Sequence, residues 1–165
     1  MKNEQRVLEV IKKFHKKLPK FADGRINYSK SDTAPVITVF IKYKNKILLL
    51  KRSNNVSTYK GIWNTVAGYL DELKPLKEKT LEELKEELGI REDAILSLSL
   101  GKSYQFRDTN IDKTWIVYPA LVELDKEPKI KLDREHTDYK WIKPDEIKNF
   151  NVVPHLLKSF RAVVS

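Results

Sequence analysis

The sequence predicts an α/β layered domain with a helical extension at its N-terminal end. Two observations carry this reading. Runs rich in β-branched and aromatic residues alternate along the chain with stretches of helical periodicity, and those helical stretches lie apart from one another. The 165 residues suffice for one domain with a proper core, and 41% are hydrophobic against 33% charged, an ordinary globular balance.

Residues 3–18 read as an amphipathic helix: Val7, Val10, Ile11, Phe14 and Leu18 recur at helical spacing with lysines between them, and Pro19 ends the run. Residues 20–34 are irregular, with turn signals at Asp23-Gly24 and Ser31-Asp32. Val36 to Tyr43 and Lys46 to Arg52 form a hairpin about Lys44-Asn45. A polar loop, 53–60, precedes a short extended piece between Gly61 and Gly68. A helix from Leu76 to Leu88 stops at Gly89, a C-cap residue. Strands follow at 94–106 and 114–123, joined by a polar turn from Arg107 to Lys113. A short strand at 138–142 leads to a helix opened by Pro144 and Asp145, and a last helix spans 154–163. The expected division is an extension over 1–34 and a domain over 35–165. The first helix must cover its apolar stripe, most simply on its own domain, otherwise on a second copy in a homodimer.

Charge and composition narrow the function. Lys and Arg outnumber Asp and Glu by 32 to 23, a net charge of +9, so the surface attracts anions such as nucleotides or RNA. The lysines are spread along the chain, with no basic block that reads as a nucleic-acid tail. With no cysteine, disulfides and zinc-thiolate sites are excluded. No apolar run reaches membrane-span length, and the polar start does not resemble a signal peptide, so no membrane association and a cytoplasmic location are expected.

The most informative residues are Glu83, Glu86 and Glu87. At about 100° per residue they share roughly one third of the helix circumference, with Leu81, Leu84 and Leu88 on the other side. Like charges at these spacings repel by about 0.2–0.5 kcal/mol per pair. A solvated acidic face is one reading. The other is a site for Mg²⁺, a hard cation that takes oxygen ligands and shares them with substrate phosphates.

The sequence around the helix bears on that choice. Gly68 to Ile90 resembles the Nudix box of the Nudix hydrolases, G-x5-E-x7-R-E-U-x-E-E-x-G-U, with U a bulky aliphatic. Gly68, Glu83, Leu84, Glu86, Glu87, Gly89 and Ile90 fall in register without a gap. Leu48 to Arg52 and Gly61-Ile62-Trp63 resemble the segments that precede the box in this family, and Glu135 and Trp141 those that follow it. Two positions depart: Lys74 stands where the pattern has Glu, and Glu82 where it has Arg. Both signs are reversed, which leaves two readings: a Lys74–Glu82 pair replaces the family's Glu–Arg pair, or both residues are solvated and the loop is held by something else.

The resemblance implies an α/β/α sandwich with a mixed central sheet. It also implies Mg²⁺-dependent hydrolysis, with Mn²⁺ as a substitute, of a nucleoside diphosphate linked to another moiety. It gives Glu86 and Glu87 as direct metal ligands, Glu83 as ligand or general base, and Glu135 as base or extra ligand. Gly68 would allow unusual backbone angles or close approach. Arg52 would reach phosphate or brace the Glu-rich helix, with Lys51 and Arg107 as weaker phosphate candidates. Tyr104, Phe106 and Trp115 would stack a base or belong to the core. Trp63 and Trp141 read as packing residues, and His136 as a substrate contact or a structural residue. Two other functions compete: a catalytically weak Nudix-like domain that binds nucleotide or RNA, and, last, an isomerase of the isopentenyl diphosphate type, disfavoured because that chemistry usually needs a cysteine.

Overall fold

The computed structural model describes residues 2–164. Its sheet is built on β1 (Thr33–Tyr43), whose run of Val, Ile, Thr and Phe suits a strand buried on both faces. β1 pairs in parallel with β7 (Lys113–Leu124) from Thr33↔Thr114 to Lys42↔Glu123. Its other edge is shared. The first half takes β4 (Val66–Tyr69), with Val36 opposite Tyr69, and the last residues turn through Lys44, at φ 54°, into β2 (Lys46–Arg52). β2 in turn pairs with β3 (Trp63–Asn64) and β8 (His136–Ile142). The sheet is mixed, as expected.

The strand expected over 94–106 is two. β5 (Ile95–Leu100) and β6 (Tyr104–Asp108) run one after the other along the outer edge of β7, and residue 94 closes a 3₁₀ turn instead. Two residues explain the break. Pro119 on β7 has no N–H to offer the edge strand. Gly101 lies against the last helix so closely that a Cβ would stand 2.6 Å from the Ala162 carbonyl oxygen. Pairing stops at Leu100 and resumes at Tyr104, and the strand continues to Asp108, past the start expected for the turn.

The sheet separates two cores because alternate side chains point to opposite faces. Ile37, Val39 and Ile41 of β1, with Leu48 and Leu50 of β2, meet Leu84 and Leu88 of α2 (Leu76–Leu88) and Val7 and Ile11 of α1 (Lys2–Lys17). Phe40, Ile47 and Leu49 face the other way, toward Phe160 and Leu156 of α3 (Leu156–Val164). Fully burying such a side chain contributes about 1.5–3 kcal/mol. The stripe of α1 is therefore covered by its own sheet. Among the described residues no helix is long and apolar enough to cross a membrane. The segment opened by Pro144 is a 3₁₀ turn, Pro144–Asn149, and α3 begins two residues later than expected, after His155, whose φ is 65°.

The ends of α2 matter most for the site. Its C-terminus closes on Gly89 at φ 71°, where a left-handed residue lets the Gly89 and Ile90 amides bond to Lys85 and Leu84 carbonyls. Its N-terminus begins after Pro75, which has no side chain to cap it. Glu4 of α1 does so from a distance: its two oxygens accept the Leu76 and Lys77 amides at 3.0 and 3.2 Å.

Candidate active site

Between β4, β1, β7 and β6 on the α3 face, the sheet forms the floor of a cleft of about 580 Å³, a size that suits a small-molecule ligand. The registers Tyr69–Val36–Val117–Tyr104 place one row of side chains across four strands, and Phe106 and Trp115 form the next. The period of two along each strand turns these residues the same way. One half of the cleft is thus aromatic and apolar.

The other half is acidic. Glu83, Glu86 and Glu87 of α2 line it together with Asp133 and Glu135 from the loop before β8. Gly68 permits this arrangement. A Cβ there would sit 3.0 Å from the Glu83 carboxyl carbon. The positive-φ glycines are Gly24, Gly61 and Gly89, so Gly68 supplies closeness rather than an unusual angle. Glu87 is 3% exposed and its Oε2 is buried without a hydrogen-bond partner. Its Oε1 lies 3.6 Å from His136 Nε2, and His136 Nδ1 is 3.0 Å from Asp133 Oδ1. Burial above all, then the neighbouring Glu83, Glu135 and Asp133, hold the Glu87 carboxyl well above its ordinary pKa. Glu135 is raised too, by burial and by Asp133, against the opposing pull of His136 and Arg52.

Lysines brace the loop between β4 and α2. Lys74 Nζ lies 2.5 Å from Glu82 Oε1 and 3.1 Å from Glu72 Oε2. The two box departures therefore form an ion pair of reversed sign. Lys79 is 4% exposed, and its Nζ lies 3.1 Å from Asp71 and 3.2 Å from Glu83. Burial lowers the Lys79 pKa, but Glu83 and Asp71 outweigh it and raise the balance.

The family profile of the NUDIX domain matches residues 32–163. The chain belongs to the Nudix hydrolase family. Nucleoside triphosphatase NudI of Escherichia coli is 20% identical over 133 residues, covering 76% of this chain and 93% of that one. Among solved structures, the MutT protein of Methanosarcina mazei Go1 shares 24% identity, with 79% of this chain and 91% of that one covered, at a TM-score of 0.64. The NUDIX domain of Shewanella oneidensis NrtR, solved with ADP ribose, has the same TM-score at 15% identity, with coverage of 78% and 86%. At these identities the structures speak for the fold.

Most of the expected site residues, inside the Nudix box and outside it, meet in the cleft: Arg52, Gly68, Glu83, Glu86, Glu87, Tyr104, Phe106, Trp115 and Glu135 all line it. Arg52 does not brace α2. Its Nε and Nη2 donate to the Thr58 carbonyl at 3.0 and 2.9 Å, so it holds the 53–60 loop. Burial lowers its pKa against the pull of Glu135 and Glu87. Tyr104 and Phe106 are floor residues, with Phe106 stacked on His155 at 4.0 Å. Arg107 is engaged elsewhere, with Asp32 at 2.6 Å and with Asp112; like Lys51, it does not line the cleft. His136 lies 3.6 Å from Glu87 and does not line the cleft, and Trp63 and Trp141 pack on Phe150 and Tyr43.

Sequence reasoning missed Lys79, Asp133 and the Tyr59–Asp108 contact. Lys79 precedes Glu83 by one helical turn, which signals an i,i+4 pair, and Asp133 stands two residues before Glu135. Nothing in the sequence announces that Tyr59, at φ 53°, donates its hydroxyl to the buried Asp108 at 2.6 Å and ties loop 53–60 to β6. Trp115 Nε1 and the Asn110 amide donate to the same carboxylate.

The acids fit a hard divalent cation by donor type. All are carboxylate oxygens, and Glu87 Oε2 is a buried acceptor with no donor. Among the described residues no group of three or more acids or histidines is already gathered at metal-site spacing. Mg²⁺ commonly takes one or two carboxylates and completes its shell with water and substrate phosphate, so a ready cage is not required.

Proposed function

We propose that this chain hydrolyses a diphosphate bond in a nucleotide or nucleotide conjugate with the help of Mg²⁺. The observation that carries this is a cleft with an aromatic half and, across Gly68, a cluster of carboxylates, one of which has a buried oxygen with no partner. The aromatic half, Tyr104, Phe106 and Trp115, receives the base, where stacking contributes about 1–3 kcal/mol. The acidic half holds the diphosphate. Glu86 and Glu87 are the first ligands for the cation, with Glu83 beside them. A bound Mg²⁺ would offset phosphate charge and favour in-line attack by water.

The protein's own groups do the rest. Lys79 holds Glu83 in place, and His136, bonded to Asp133, stands 3.6 Å from Glu87. Glu135, at the cleft wall with a raised pKa, is the first candidate to accept the proton of the attacking water, with Glu83 as the alternative. The water oxygen bonds to one phosphorus, the bridging P–O bond breaks, and the leaving group departs with the bridging oxygen.

The net charge of +9 favours a second reading, a weakly active domain that binds RNA. One experiment separates the two. The protein is incubated with Mg²⁺ or Mn²⁺ and a panel of nucleoside triphosphates, ADP-ribose, dinucleoside polyphosphates and capped RNA, with Glu86→Gln and Glu87→Gln alongside. Turnover that is lost in both variants supports the hydrolase. A folded protein that turns over nothing and binds RNA in a salt-sensitive way sinks it.

A further inference from the structure

Arg25 precedes the segment that the NUDIX profile matches, yet it lines the same cleft as Glu83, Glu86 and Glu87. The chain holds it there at several points. Gly24, at φ 91°, reverses the backbone, and Lys20 and Ile26 bridge across the turn. The Ile26 amide donates to the Asp71 carbonyl at 2.8 Å, and the Tyr28 hydroxyl to the Leu70 carbonyl at 2.6 Å. The Tyr28 ring stacks on Tyr69 at 5.4 Å. Ile26 and Tyr28 are buried. The turn is thus anchored on the residues that immediately follow Gly68.

Two guanidinium groups line the cleft, and their states differ. Arg52 is committed to the Thr58 carbonyl. Arg25 is 42% exposed at its side chain, and its Nε stands 3.6 Å from both Asp23 Oδ2 and Glu72 Oε1. These ion pairs are too long for hydrogen bonds. Among the described residues, no acceptor takes a hydrogen bond from its guanidinium. Glu72 Oε1, facing it, is buried without a hydrogen-bond partner. A guanidinium with its donors free, at the acidic end of a cleft, matches the fork geometry of a phosphate group.

We propose that Arg25 is a substrate-binding residue supplied by the N-terminal segment, and that its guanidinium donates hydrogen bonds to the phosphate oxygens of the nucleotide beside Glu86. This rests on the nucleotide reading above and adds a residue that lies outside the Nudix profile. The acids around Arg25 keep it in the cleft until a more strongly accepting anion arrives, with its negative charge balanced by the cation on the same substrate. The segment before β1 is then part of the active site.

The test compares Arg25→Ala, Arg25→Lys and a control, Arg6→Ala on the exposed side of α1, on the best substrate of the panel with Mg²⁺. The expected result is a kcat/KM lower by about tenfold in Arg25→Ala, the scale of one lost charge-assisted hydrogen bond, with a melting temperature close to wild type. Arg25→Lys recovers part of the loss, because it keeps the charge but not the fork, and Arg6→Ala matches wild type. Unchanged kinetics in Arg25→Ala, or a loss that tracks a lower melting temperature and disappears under conditions that restore the fold, overturns the role of Arg25 while leaving the hydrolase intact. A wild-type protein that turns over nothing overturns the nucleotide reading, and this inference with it.

Discussion

Lys79→Met isolates what a buried ammonium does under the acidic helix. The substitution keeps most of the side-chain volume and a similar helix propensity, and removes the ammonium with its hydrogen bond to Asp71. Lys79 is 4% exposed, with carboxylates at 3.1 Å on Asp71, 3.2 Å on Glu83 and 3.8 Å on Glu72. At about 3 Å and an effective dielectric near 20, each close contact is attractive by about 5 kcal/mol, and burying the ammonium cancels several kcal/mol of that. Removing one partner of a buried pair typically costs about 3–5 kcal/mol. The three acids keep side-chain exposures of 12–24%, so water takes over part of the solvation, and the expected loss is about 2–3 kcal/mol. For a chain of this size that lowers the melting temperature by about 5–10 °C. Urea unfolding should show a lower midpoint at an unchanged slope. Mg²⁺ should return part of the loss, since Glu83, one of these carboxylates, stands beside its proposed ligands. A midpoint shift worth less than about 0.5 kcal/mol, the range of an ordinary surface substitution, would refute the claim that Lys79 is the structural counter-charge of this site.

Other outcomes follow from the same geometry. Glu4→Ala removes the acceptor for the Leu76 and Lys77 amides and should cost about 1 kcal/mol, the usual value of a helix cap; thermal unfolding identical to wild type would contradict it. Glu82→Arg alone faces Lys74 with a like charge and should lower turnover, while Lys74→Glu with Glu82→Arg should restore it; a fully active single variant would show that the 2.5 Å pair is incidental. Glu87 carries a raised pKa, so in metal-free protein the native state binds more protons than the unfolded one, and stability falls as pH climbs from the unfolded carboxylate value through the native one. Glu87→Gln should therefore raise the metal-free melting temperature at neutral pH and reduce the stabilisation gained on adding Mg²⁺. A lower metal-free melting temperature would mean that the contact with His136 outweighs the repulsion.

Much of this chain is legible from local pattern because local pattern is what hydrophobic periodicity and caps encode. The hairpin about Lys44-Asn45, the helix Leu76–Leu88 and its Gly89 stop depend on neighbours within a few residues, and they stand where the sequence puts them. The ungapped spacing from Gly68 to Ile90 identifies the family because it sets one loop and one helix against each other. The split of 94–106 was not legible. It depends on Pro119 in a partner strand and on α3 crossing Gly101, both distant in the chain.

By itself the sequence determined the fold class, the acidic face of α2 and the reversed signs at Lys74 and Glu82. Only the tertiary structure decided which charges meet beyond one helical turn. It set Lys79 against Asp71, His136 near Glu87, Glu4 on the end of α2 and Arg25 in the cleft. A hydrophobic stripe is repeated and so can be read from spacing. A single ion pair between residues far apart in the chain leaves no periodic trace, because its partners are brought together only when the layers pack.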